Sequence, residues 1–274
     1  NWISERRNAR LGPDILILHK AFTPPASDIA VAGGFASIVP GPALGQKRRL
    51  PAAPQRPDYA DGAHGWKGET VGKWLDGGLY VATSLPVLSS RSEAFGPDSC
   101  AGYDCLSNKG ALALRVAIPG APEPLILFNT HRNSREPAKV AIARAEAAHV
   151  LQTQENDAML AAFAAPGSAM IAAGDFNNYR AGDRTGRFAS DPGFRLAGKG
   201  TRYAARAAPM TEARAWHDAY DLLGYRSGGA LRVEPLAVAT LFDGKNGPRL
   251  SDHDAQYVIF RISWPKGATP MPIT

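Results

Sequence analysis

The sequence predicts an α/β protein with two packed β-sheets flanked by helices. Three observations carry this reading. Short apolar runs of strand length recur along the 274 residues, each bordered by turn formers. Several of these runs are almost continuously apolar, as in sheets covered on both faces. Helical patterning is confined to a few segments and does not follow every strand, which disfavours a doubly wound sheet.

The predicted strands are Asp14–Leu18, Gly78–Thr83, Ala111–Ile118, Leu125–Phe128, Ala169–Ala173, Leu236–Thr240 and Gln256–Ile262. The spacing predicts a long helix over Glu136–Ala164. Val140, Ala143, Ala147, Val150, Leu151 and Ala158 form its apolar stripe, and Pro166-Gly167 stops it. Shorter helices are expected over Trp2–Arg10 and Thr211–Leu223. Two segments rich in Pro, Gly and charge, Pro40–Lys73 and Asn178–Pro209, read as long loops, and loops of that length usually carry function. The first holds Trp66 and Trp74, residues suited either to packing a loop or to a lipid interface.

Composition excludes several classes. With 45% hydrophobic and 20% charged residues, the chain is neither disordered nor fibrous. No stretch approaches the ~20 apolar residues of a membrane-spanning helix. The phosphate-binding loops GxGxxG and GxxxxGK[ST] are missing, so nucleotide-cofactor chemistry has no support. The net charge of +6 suits an anionic partner, and Gln46-Lys47-Arg48-Arg49 is the one dense basic cluster. Cys100 and Cys105 have no zinc-site spacing. They form either a loop-closing disulfide, which implies a secreted or periplasmic protein, or two reduced thiols.

Polar residues collect at the ends of the apolar runs. Asn129-Thr130-His131 follows one, Gly174-Asp175-Phe176-Asn177-Asn178 follows another, and Ser251-Asp252-His253-Asp254 precedes a third. Each alone reads as a turn or cap. Together, two with His and two with Asp, they point to a reaction centre on rigid strand ends.

These motifs, in this order, resemble the endonuclease/exonuclease/phosphatase superfamily. Asp104-Cys-Leu-Ser-Asn-Lys109-Gly110 is similar to a segment of its neutral sphingomyelinase branch. The resemblance implies a four-layered α/β sandwich, two mixed sheets flanked by helices, in a single domain over residues 1–274. It implies a metal-dependent phosphodiesterase or phosphoesterase acting on a phosphoester, such as a phospholipid at a membrane surface. A nuclease is the alternative within the family. Asp175 would take a proton from the attacking water, and Asn177 would orient water or phosphate. His131 and His253 would donate to phosphate oxygens, with Glu234 of Arg232-Val233-Glu234 as partner of His253. Asp252 would bind Mg2+ or another divalent cation. Asn129 and Lys109 would bind phosphate, and Asp104 with Lys109 would form an activity switch.

The sequence departs from the family twice. Lys20 of Leu18-His19-Lys20 stands where the family has the Glu that is its principal metal ligand. An ammonium has no lone pair to offer a cation. Lys20 then binds phosphate in place of the metal, or the metal persists through Asp252, or the chain is an inactive phosphate-ligand or partner-binding protein. The family also begins with a strand that is absent before Asn1, so a preceding segment is expected.

Overall fold

A computed structural model describes residues 2–51, 62–178, 184, 195–197, 210–211, 221–245 and 247–273. The chain forms two compact units. Unit 1 comprises residues 1–117, 127–166 and 273–274; unit 2 comprises 118–126 and 167–272.

Unit 1 opens with helix α1 (Trp2–Asn8), strand β1 (Ile15–Leu18), helix α2 (Pro24–Ala32) and strand β2 (Ser37–Pro40). Strand β3 (Tyr80–Thr83) pairs antiparallel with β1 on one side and β2 on the other. A second group of neighbouring strands is β4 (Val87–Ala94), β5 (Gly110–Val116) and β6 (Leu125–His131), the last entering unit 1 at Leu127. β4 and β5 run antiparallel from Val87↔Val116 to Ala94↔Gly110. Strands β5 and β6 are buried almost throughout, as their continuous apolar runs predict.

Helix α3 (Ile142–Phe163) forms within the expected segment, but a different face is buried. Of the predicted stripe only Leu151 is buried; Ala143 and Ala158 are exposed. The buried face carries Arg144, His149, Gln152, Glu155 and Asn156 beside Ala145, Ala148 and Met159. Its polar groups have partners in unit 1. Gln152 Nε2 donates to Ser99 O at 2.6 Å and its Oε1 accepts from Asn133 N at 2.6 Å. Glu155 accepts from Gly96 N at 3.0 Å and Ser99 Oγ at 2.8 Å. Hydrophobic periodicity cannot see a face buried through hydrogen bonds.

Unit 2 contains β7 (Met170–Asp175), β8 (Arg195–Leu196), β9 (Met210–Thr211), β10 (Asp221–Arg226), β11 (Arg232–Leu241) and β12 (Ala255–Ser263). The strand orders are β7-β10-β8 and β12-β11-β9, all antiparallel. The two sets pack through Leu223 and Tyr225 of β10 and Val238, Val258 and Phe260 of β11 and β12. The rings of Tyr225 and Phe260 meet edge to face, 5.7 Å apart.

Seven predicted strands are present, with boundaries shifted by a few residues. β2, β4, β8, β9 and β10 lie outside the runs that periodicity predicts. β4 is Val-Leu-Ser-Ser-Arg-Ser-Glu-Ala, too polar for the apolar-run criterion. The expected helix Thr211–Leu223 is corrected at both ends, where Thr211 lies in β9 and Asp221–Leu223 in β10; residues 212–220 lie outside the described residues. Most of the loop Asn178–Pro209 and residues 52–61 of the first loop lie outside them as well. Among the described residues, no helix is long and apolar enough to cross a membrane.

The basic cluster has structural work to do. Gln46 Nε2 donates to Ser92 O at 2.7 Å, Arg48 to Pro51 O at 3.1 Å, and Arg49 to Ser92 O at 2.9 Å. The Gln46 and Arg49 bonds, with one from Arg48 Nη1 to Ala94 O at 3.3 Å, tie the first loop to β4.

Candidate functional site

In unit 2 the predicted residues gather at one end of the sheets. β7 ends in Asp175 and β10 begins with Asp221, and the two are directly opposite in the antiparallel register. Opposed residues put their side chains on the same face, and two like charges so placed repel. The arrangement therefore opposes stability and calls for cationic or donor partners. His253 supplies one: its Nδ1 lies 2.9 Å from Asp221 Oδ1. Gln256 Nε2 donates to Asp221 O at 2.6 Å, fixing the strand start. Asp175 is fully buried, and its Oδ1 accepts from the Asn177 amide at 3.0 Å. Asn177 adopts a left-handed backbone (φ 52°), which Asn tolerates better than most residues. Buried Arg184 donates to Asn177 O at 2.9 Å.

Asp221 is the residue that sequence reasoning missed. Glu234 was expected to orient His253, but Glu234 Oε1 accepts from Arg232 at 2.6 Å and its residue pairs with Arg261 in the β11–β12 ladder. His253 precedes the other end of that ladder, where Ala255 meets Leu241. The signal for Asp221 was present, since it opens the apolar run Asp221-Leu-Leu-Gly-Tyr. Assigning that run to a helix concealed it. Asp252, the predicted metal ligand, is 77% exposed; its Oδ1 accepts from Ser251 Oγ at 3.1 Å and its Oδ2 lies 3.8 Å from His253 Nε2.

Unit 1 holds a second cluster at the end of β6. Lys109 is only 5% exposed and is no surface lysine. Its ammonium donates to Asp104 Oδ1, to His131 Nε2 at 2.8 Å and to Arg132 O at 3.1 Å. Three protons meet three partners, so the ammonium is fully engaged within unit 1. Because an ammonium only donates, His131 Nε2 must accept, and the imidazole proton sits on Nδ1. Asp104 Oδ2 accepts in turn from the Ser134 amide at 2.6 Å and from its hydroxyl.

Asn129 is likewise redirected. Its Nδ2 donates to Leu18 O at 2.8 Å and Tyr80 O at 3.2 Å, so the amide pins β1 and β3 together. The remaining Oδ1 is an acceptor, which phosphate oxygens would repel. Lys20, at the exit of β1, adopts a left-handed backbone (φ 55°).

The Cys100–Cys105 disulfide is formed and encloses Asp104. Lys73 Nζ lies 3.9 Å from Cys100 Sγ. Burial, reinforced by the positive charge of Lys109 and opposed by Asp104, pulls Lys73 down from 10.5 to about 8. A reductively 13C-methylated sample should therefore show one lysine signal titrating with a midpoint about 8 that vanishes in Lys73→Arg. A full set of signals titrating as ordinary lysines would contradict this.

No family model matches the chain, and no curated protein matches it. Solved structures do. Sphingomyelinase C from Streptomyces griseocarneus is 21% identical, with 94% of this chain and 87% of that chain covered and a TM-score of 0.52. A beta toxin from Staphylococcus aureus with bound magnesium ions is 15% identical, with 94% and 86% covered and a TM-score of 0.54. An endonuclease/exonuclease/phosphatase protein from Beutenbergia cavernae is 14% identical, with 95% and 65% covered and a TM-score of 0.54. These likenesses show the fold: the chain has the α/β fold of a sphingomyelinase C and of an endonuclease/exonuclease/phosphatase protein.

Proposed function

We propose that the protein hydrolyses a phosphoester, in the manner of a sphingomyelinase, with the chemistry carried by unit 2. The observation behind this reading is the group Asp175, Asp221 and His253 on adjoining strand ends. Asp221 takes the Nδ1 proton of His253 as a hydrogen bond and so makes Nε2 the atom for proton exchange. His253 Nε2 donates to the phosphoryl or leaving oxygen as charge develops there. Asp175 accepts the proton of the attacking water, and the Asn177 side chain orients that water. One P–O bond forms to the water oxygen and one breaks to the leaving oxygen, which departs with the proton from His253.

For unit 1 we infer an anion-binding role for Lys20 and His131. The family's metal does not fit the residue at the end of β1, where a hard cation would meet an ammonium instead of a carboxylate. Asp252 is exposed and offers little enclosure for an ion. We therefore derive no step through magnesium.

The test is hydrolysis of sphingomyelin and of bis(4-nitrophenyl) phosphate, each with Mg2+ and with excess chelator. Turnover is expected to survive chelation, and binding of inorganic phosphate is expected to weaken at least about tenfold in Lys20→Glu. A Lys20→Glu variant that gains Mg2+-dependent activity would overturn the role given to Lys20. Absence of turnover in every condition, with inorganic phosphate still bound, would establish a binding protein instead.

A further inference from the structure

Unit 1 exposes an aromatic surface that the hydrolytic reading does not use. Trp66 is 73% exposed, Trp74 67% and Tyr103 45%, with Val71 and Leu75 also exposed. Lys67 Nζ sits 4.4 Å from the Trp66 ring centre and 5.4 Å from that of Tyr103, a cation held over two rings. Side chains of this size are costly to leave in water unless something covers them.

The segment that bears them is rigidly built. Gly68 (φ 86°) packs where any Cβ would lie 2.7 Å from Leu106 Cγ. Trp74 N and Leu75 N both donate to Leu106 O, at 2.7 and 3.0 Å, and Asn108 N returns a bond to Leu75 O at 2.8 Å. Gly102 (φ 63°) fits against Ala138 O so closely that a Cβ would lie 1.9 Å from it. Such exposure on a fixed scaffold is a surface prepared in advance, with little ordering left to oppose binding.

Charge indicates what covers it. Between Gly62 and Leu75 the only acidic residue is Glu69. Its carboxylate is buried, accepting from Arg144 Nε at 2.8 Å and Nη2 at 2.7 Å. Between Cys100 and Leu106 the only acidic residue is Asp104, which turns inward to Lys109 and Ser134. The cation held over the exposed rings is the Lys67 ammonium, and the segment's other lysine, Lys73, is also basic. Tryptophan and tyrosine favour the membrane–water boundary, where the ring meets acyl chains and its polar edge meets headgroups. A lysine among them matches anionic headgroups.

We propose that Trp66, Trp74 and Tyr103, with Lys67 over the Trp66 and Tyr103 rings, form a docking surface for an anionic phospholipid bilayer. The proposal concerns binding and stands whether or not the protein hydrolyses a phosphoester. It also gives Tyr103 and Asp104 opposite duties on consecutive residues, one meeting the bilayer and the other holding Lys109 and through it His131.

The experiment is co-sedimentation with vesicles of phosphatidylcholine alone and of phosphatidylcholine with phosphatidylglycerol. The wild-type protein is expected to bind the mixed vesicles more tightly, and added salt should weaken that preference. Trp66→Ala/Trp74→Ala should lower affinity for both by at least about tenfold, whereas Lys67→Glu should remove mainly the preference for phosphatidylglycerol. Leu250→Ala, a 65% exposed apolar side chain in unit 2, should leave binding unchanged. Both tryptophans project into solvent, so their replacement should preserve the circular dichroism spectrum. Unaltered vesicle binding by the double variant overturns the proposal, and so does a wild-type protein that ignores both vesicles. A double variant that loses self-association while binding vesicles normally would assign the surface to a second copy and also overturn it.

Discussion

Asp221→Asn is expected to lower kcat by about a thousandfold or more while leaving KM nearly unchanged. The carboxylate accepts from Nδ1 of His253 at 2.9 Å, which keeps the imidazole in the tautomer whose Nε2 can exchange a proton. An amide in that place can donate instead, stabilise the opposite tautomer and present the wrong ring nitrogen. Asp221 acts through His253, so Asp221→Glu, which keeps a carboxylate acceptor, should recover part of the rate. Asp221 and Asp175 are opposed in the sheet, so losing one negative charge could even stabilise the fold. A melting temperature that holds or rises while activity falls would distinguish function from structure. Activity within about threefold of wild type would mean that His253 is not the proton donor.

Glu69→Ala is expected to cost about 3–5 kcal/mol of folding stability, a large share of the 5–15 typical of a protein. Removal of the carboxylate strands the buried Arg144 guanidinium, which loses two bonds of 2.7–2.8 Å. The amides of Gly102 and His64, each 2.6 Å from a carboxylate oxygen, lose their acceptors as well. Replacing both members by apolar residues of similar volume should recover much of the loss, because no buried charge is left unpaired. Urea unfolding of the two single variants and the double variant measures this directly. Acid should reproduce part of the effect. Burial alone would raise the Glu69 carboxyl, but its bonds from Arg144, Gly102 and His64 outweigh that and hold it below 4.5. A depressed carboxyl contributes its full stability above the unfolded value of 4.5 and loses it as pH falls through the lower folded value. A Glu69→Ala variant as stable as wild type at neutral pH would show that this pair carries no load.

Much of the site was legible because polar residues closing apolar runs survive in the sequence as local punctuation. The candidates His131, Asp175, Asn177 and His253 were read this way, whereas the Asp104–Lys109 spacing came from the family resemblance. What remained hidden depended on distant pairing. Asp221 becomes a partner of His253 only because β10 runs antiparallel to β7 and starts opposite its end. Asn129 and Lys109 carry donors suited to phosphate, but the fold spends those donors on Leu18 O, Tyr80 O, Asp104, His131 and Arg132 O. The inward face of α3 was misjudged for the same reason, since its burial is earned through hydrogen bonds to residues far away in sequence.

That face also shapes how the protein can change over generations. An apolar contact can be renegotiated in small steps, a methylene lost here and gained there. Arg144, Gln152 and Glu155 offer no such gradient. Each is joined to a carboxylate or to main-chain groups whose positions are fixed by other strands and turns. A single substitution at any of them leaves a buried group without its partner, and a rescuing change must arise elsewhere at the same time. Drift at these positions of helix α3 therefore has few one-step routes, although its sequence looks like that of an ordinary surface helix.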